Sequence, residues 1–123
     1  MDIKNLRLKR LVMEEKLIKN VEHSTPLVLK DLVEYEDGKV ASMTLSQRPG
    51  VGITVMAFDK GESISTHAAP GDAMVQILDG KAEITVGGEP HILEAGEIIV
   101  MPKDVPHSLK AIERFKMILT VVK

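Results

Sequence analysis

The sequence predicts an all-β fold, a sandwich or barrel, and three observations predict it. From Pro26 onward the chain breaks into short runs rich in β-branched and apolar residues, each about the length of a strand. Between the runs stand "EDGK", "RPGVG", "APGD", "DGK" and "GGE", where glycine supplies positive φ or proline pre-sets the bend. At 123 residues the chain suits a single domain with a real core, and about ten short strands leave little room for helices.

Residues 1–25 are the exception and read as an N-terminal helix or arm, with the β-barrel domain over 26–123. "MDIKNLRLKRLVMEEKLIKN" holds good helix formers and neither Gly nor Pro, although its apolar residues follow a helical face only loosely. Its simplest role is an arm packed on the barrel or on a second subunit, and Met13 is a candidate alternative start. The strands expected after it are "PLVLKDLV", "KVASMTLSQ", "GITVMAFD", "SISTH", "AMVQILD", "KAEITVG", "EPHILEAG", "EIIVMP", "PHSLKAI" and "FKMILTVV". Asp79-Gly80 and Gly87-Gly88 both read as two-residue hairpin turns. "AMVQIL" and "EIIVM" are apolar at nearly every position, which predicts burial on both faces and hence a homodimer or a covering arm.

Composition removes several function classes. Apolar residues at 44% and charged residues at 28% are an ordinary soluble balance, and no apolar run approaches the roughly 20 residues of a membrane span. No secretory signal pattern follows the basic start, so the expected location is cytoplasmic. The absence of cysteine eliminates disulfides, thiolate metal sites and cysteine nucleophiles. A net charge of −2 with no tryptophan, one tyrosine and two phenylalanines argues against nucleic acid as a partner. No nucleophile elbow, P-loop or dinucleotide fingerprint occurs. The seven methionines read as core filler, with Met101, just before Pro102, a candidate pocket residue. Turn carboxylates such as Asp79, Glu97 and Asp104 read as solvated charges, His91 as a surface residue, and His23 has no assigned role.

The glycine, proline and histidine spacing carries a family resemblance. One frame runs Gly61, five residues, His67, Ala68, Ala69, three residues, Ala73, six residues, Gly80. A second runs Gly96, five residues, Pro102, Lys103, Asp104, two residues, His107, three residues, Ala111. The pair resembles the two cupin signatures, G-x5-H-x-H-x3,4-E-x6-G and G-x5-P-x-G-x2-H-x3-N, over about Lys39 to the C-terminus. What the resemblance implies is a double-stranded β-helix, or jelly-roll barrel, with a pocket at its mouth.

In cupins that this chain resembles, two histidines and a glutamate of the first motif and a histidine of the second bind a divalent metal. Only His67 and His107 match those positions; Ala69 and Ala73 replace the second histidine and the glutamate. Two imidazoles are a poor site for Mn, Fe, Ni, Cu or Zn, which usually require three or more protein ligands. Asp72 and Gln76 are candidate extra ligands, yet strand parity sets both against Ala73 unless the chain is still turning there. A lone histidine such as His67 could equally be a polar residue bonded to a hydroxyl of Thr66 or Ser65. Two histidines brought to one pocket favour a ligand site instead.

Three functions follow as alternatives. The first is a small-molecule-binding barrel centred on His67 and His107, its ligand unassigned. The second is a metal-dependent enzyme of dioxygenase, isomerase or decarboxylase type with a reduced ligand set. The third is a dimerising interaction module.

Overall fold

The computed structural model describes residues 16–123. Seven strands carry the fold: β1 (Val40–Arg48), β2 (Val51–Phe58), β3 (Ser63–His67), β4 (Asp72–Val86), β5 (Glu89–Glu94), β6 (Ile98–Met101) and β7 (His107–Val122). A 3-10 turn at Leu29–Asp31 is the one helical piece among the described residues. All pairings are antiparallel.

β4 and β7 are long enough to serve two walls each. In the first wall β1, β2, the C-terminal half of β7, the N-terminal half of β4 and β6 lie in that order. In the second, β3, the N-terminal half of β7, the C-terminal half of β4 and β5 follow one another. Two sheets sharing two bent strands make the expected jelly-roll barrel.

The bend corrects the first hairpin expectation. Asp79-Gly80 does not reverse the chain; it lies inside β4, where the register against β7 shifts between Ile77 and Asp79 and again between Gly80 and Ala82. Gly80 has φ +80°, and a side chain there would run into the Arg114 carbonyl of the partner strand. A bulge at a glycine turns the strand from one wall to the other. "PHSLKAI" and "FKMILTVV" likewise form one strand, β7. Gly87 and Gly88 do turn the chain between β4 and β5, both at positive φ as a type I′ hairpin requires.

Alternation sorts the side chains. On β4, Ala73, Val75 and Ile77 are buried while Asp72, Met74 and Gln76 are exposed. The barrel interior is sealed by residues such as Val75, Ile84 and Leu109 around the stacked pair Phe58–Phe115, whose ring centroids are 4.4 Å apart. Burying each such ring contributes about 2–3 kcal/mol.

A second, smaller core lies on the outside of the first wall. Val55, Ala57 and Leu45 are covered there by Val33 and by the half-buried Val21, Leu29, Leu32 and Tyr35. The expected strand "PLVLKDLV" is therefore a strap: its apolar residues find a sheet face to cover but no strand edge to pair with. The helix expected over residues 1–20 falls mostly outside the described residues, and residues 16–28 contain no helix. The arm is instead tied to β1, with Lys19 N–H donating to the Leu45 carbonyl at 2.7 Å and Asn20 Nδ2 to the Thr44 carbonyl at 2.7 Å.

A polar clasp fastens the strap to the barrel. Tyr35 Oη donates to Asp79 Oδ2 at 2.5 Å, and burial, together with that carboxylate, pushes the phenol pKa well above its ordinary value. Asp79 is thus a structural acceptor and not a solvated charge. Lys116, buried beneath the strap, donates from Nζ to the Lys30 carbonyl at 2.7 Å and lies 4.9 Å from the Tyr35 ring centre. Arg114 bonds Asp59 at 2.7 Å and also pairs with Asp37. The Gly38 N–H, Arg114 and the Lys60 N–H together hold Asp59 down to a pKa of about 2.

The strap leaves the other half of the first wall bare. Met74, Ile98, Val100 and Val122 are exposed on its outer face, so burial of "AMVQIL" and "EIIVM" on both sides is not achieved within the described chain.

Candidate functional site

His67 ends β3, and a bulge decides which way it points. Ile64 pairs with Leu109, but the next pair is His67 with His107, so β3 spends three residues where β7 spends two. Simple alternation from the inward Ile64 would send His67 outward. The extra residue at Ser65-Thr66 returns it to the inner side, opposite His107, which shares a face with the buried Leu109.

The two rings meet through their Nε2 atoms. His67 Nε2 and His107 Nε2 are 3.2 Å apart, with the rings edge-on at 74°. Each ring is also held from behind by the backbone two residues upstream: His67 Nδ1–H donates to the Ser65 carbonyl at 2.9 Å and His107 Nδ1–H to the Val105 carbonyl at 3.2 Å. The partner of His67 is thus a backbone carbonyl and not the hydroxyl expected of Ser65 or Thr66.

The hydrogen count at this pair does not close. Two neutral imidazoles carry one N–H each, and both are committed to carbonyls, so two lone pairs are left pointing at one another. One more proton, a proton donor on a ligand, or a cation would complete the set. A positive charge on His107 is opposed: its burial, then the nearby His67, lower its pKa despite the Val105 carbonyl.

Burial shows the direction of access. His107 is only 3% exposed, whereas His67 in front of it is open to solvent. At the adjoining end of the first wall Ala73 and Met101 pair across β4 and β6, both buried in the interior. The segment 68–71 joins His67 to β4, and 102–106 joins β6 to His107. Asp104 N–H clasps the two loops through the Ala69 carbonyl at 2.9 Å, and Lys103 N–H reaches Asp72 Oδ1 at the start of β4 at 2.8 Å.

The remaining sequence candidates separate on this geometry. Asp72 spends its carboxylate on the Lys103 amide, and Gln76 points from the outer face of β4. Met101 is 1% exposed and packs in the barrel core beside Ala73. His91 is a correction: it is half-buried, and its pairing with Ile84 puts it on the inner face of β5. His23 bonds the Ile18 carbonyl at 2.6 Å within the arm.

A metal can be tested against this donor set. Two imidazoles converge, Ala69 and Ala73 offer nothing, and among the described residues no group of three or more His, Cys, Asp or Glu side chains is placed to hold an ion. A three- or four-ligand protein site does not fit these residues. Likewise, no helix among the described residues is long and apolar enough to cross a membrane.

Comparison with known proteins agrees with this architecture. The Cupin domain family matches residues 54–123. A conserved protein of unknown function from Streptococcus pyogenes is 48% identical, with a TM-score of 0.87 over 89% of this chain and 96% of that one. A cupin superfamily protein from Desulfitobacterium hafniense is 32% identical, with a TM-score of 0.82 over 85% of this chain and 96% of the other. A cupin 2 conserved barrel domain protein from Leptotrichia buccalis is 45% identical, with a TM-score of 0.74 over 76% of this chain and 45% of that longer one. No curated protein matches the sequence.

Proposed function

We propose that this chain, which belongs to the cupin family, is a binding barrel that takes a small polar molecule at His67 and His107. The observation that carries the reading is the open hydrogen count: two rings fixed by their own backbones aim two acceptors at one point. An acidic or hydroxylated ligand supplies the missing donor, and the singly protonated pair then suits a carboxylate. Fold alone cannot choose a chemistry, since this architecture hosts many.

A thermal-shift screen of small acids, sugars and osmolytes tests the reading. A ligand that raises Tm, with the shift abolished in the variant His67→Ala/His107→Ala, supports it; a shift that survives in that variant contradicts it.

A second reading, the metal-dependent enzyme, is favoured by the same convergence of Nε2 atoms, because a cation also completes the set. Elemental analysis of protein purified without chelator or histidine tag distinguishes the two. Metal near one per chain, lost on His107→Ala, would favour the enzyme, with further ligands coming from water or substrate.

The homodimer expectation rests on the bare outer face at Met74, Ile98, Val100 and Val122, an apolar cluster bordered by Asp72 and suited to a second copy of itself. Sedimentation of Val100→Glu as monomer and of the parent as dimer is the expected outcome.

A further inference from the structure

Among the described residues nothing requires glycine at Gly52. It is the second residue of β2, paired on both sides with Gln47 and Val121, it is not at positive φ, and a methyl group added there would meet only Gln47 Oε1, at 3.7 Å. Glycine in a strand interior loses packing and carries an entropic cost, and one of its recurrent uses is to leave room for a ligand or another backbone. Gly80 and Gly71, by contrast, each press against the carbonyl of a neighbouring strand.

The space in front of Gly52 is the mouth of the barrel. Met56 and Phe58 of β2 belong to the interior cluster, so alternation puts Gly52 and Thr54 on the same inner side. The pairings run Gln47 to Gly52, Gly52 to Val121, Val121 to Ala73, and Ala73 to Met101, forming one row across the first wall. The short loops 68–71 and 102–106 connect that row to His67 and His107 on the second wall. At one end of the row Ala73 and Met101 are buried; at the other Gly52 is half-buried and Gln47 exposed, as is His67. The opening therefore lies between His67 and the Gln47–Gly52 corner.

We propose that Gly52 and Gln47 form the wall opposite His67 and that the ligand held between them is a small aliphatic hydroxy acid. The assignment rests on the histidine-pair reading above and deepens it. The histidine side accepts a proton and, once charged, pairs with a carboxylate. The amide of Gln47 can donate and accept, and Thr54 stands one step deeper on the same face, so this side reads a hydroxyl. Val121 and Ala73 between them offer only aliphatic contact. Apart from the two imidazoles, this row carries no aromatic ring to stack a flat ligand and no lysine or arginine to hold a multiply charged one.

The test is 1H–15N NMR of the full chain titrated with lactate, with acetate and glycerol as half-ligand controls. Lactate is expected to move the Gly52 amide, the Gln47 side-chain amide and the His67 ring signals along one saturating curve, more strongly than either control. Gly52→Val should lower lactate affinity at least about tenfold while Tm holds or rises, and Gln47→Leu should lower it several-fold. If Gly52→Val alters Tm, Gly52→Ala supplies the same comparison with a smaller group. Movement of the His67 signals without those of Gly52 and Gln47, or unchanged affinity in the Gly52 variants, overturns this wall and leaves the histidine reading standing. Sedimentation altered in Gly52→Val with lactate binding intact would assign the gap to another backbone and also overturn it. Silence of His67 toward all three compounds overturns the ligand class, and a thermal-shift screen empty of any ligand would overturn the histidine reading separately.

Discussion

The strap clasp and the barrel mouth both gather polar side chains on an apolar barrel, and they differ in whether the hydrogen bonds close. At the clasp each donor has its acceptor: Tyr35 has Asp79, Lys116 has the Lys30 carbonyl, and Arg114 has Asp59 and Asp37. At the mouth two Nε2 atoms meet at 3.2 Å, each on a ring whose Nδ1–H is already given to a backbone carbonyl. A closed network rigidifies a fold, whereas an open one is poised for something from outside. The glycines divide in the same way. Gly80 is held at φ +80° against the Arg114 carbonyl, while among the described residues Gly52 faces only Gln47.

The sharpest way to break that division is to add the same methyl group at both glycines. Gly80→Ala should lose more than about 3 kcal/mol in chemical denaturation, since left-handed strain and a backbone collision act together. Gly52→Ala should stay within about 1 kcal/mol of the parent or gain stability. Similar losses at both sites would mean that Gly52 too is structural. Next in size is Tyr35→Phe, which deprives Asp79 of its donor at a cost of about 1–2 kcal/mol in Tm-derived stability. No change there would remove the clasp from the account.

Two pH effects follow in decreasing order. The folded-state pKa of His107 is lowered, so below the ordinary histidine value near 6.5 the unfolded chain takes up a proton that the folded chain resists. Stability is therefore full above that value and falls as the pH drops through it, and His107→Gln should flatten the Tm profile between pH 8 and pH 5. Asp59 acts in the same direction at lower pH: its carboxylate contribution is present above about pH 4 and is lost as the pH falls toward 2. That effect is small because the pair is exposed and screened, and Asp59→Asn should remove it from an acid-unfolding curve.

The local features of the fold were legible in the sequence. "SISTH" is β3 to the residue, Gly87-Gly88 is a hairpin, and Pro102 stops β6 at Met101. The features set by distant partners were not. Asp79-Gly80 carries the dipeptide of a hairpin, but a left-handed glycine serves a bulge equally well, and only the Arg114 carbonyl of β7 decides between them. "PLVLKDLV" has a strand's apolar content without an edge to pair with, so it became a strap.

At the site, the resemblance brought His67 and His107 to one pocket, and their spacing in the chain agrees with it. The bulge at Ser65-Thr66 that aims His67 inward left no mark in the sequence. Gln47 and Gly52 were missed because their place opposite the histidines arises from a row of residues contributed by five strands. The one available signal was Gly52 at the head of "GITVMAFD", and there it was absorbed into the turn signal "RPGVG".

The most direct test of the central claim is the tautomeric state of the two histidines, read from two-bond 1H–15N imidazole correlations at pH 8. Both rings are expected to carry their proton on Nδ1, so that both Nε2 atoms are acceptors, and a bound acid is expected to shift the two together. An Nε2–H on either ring in the ligand-free protein would close the hydrogen count internally and contradict the claim that the pair is open to a ligand.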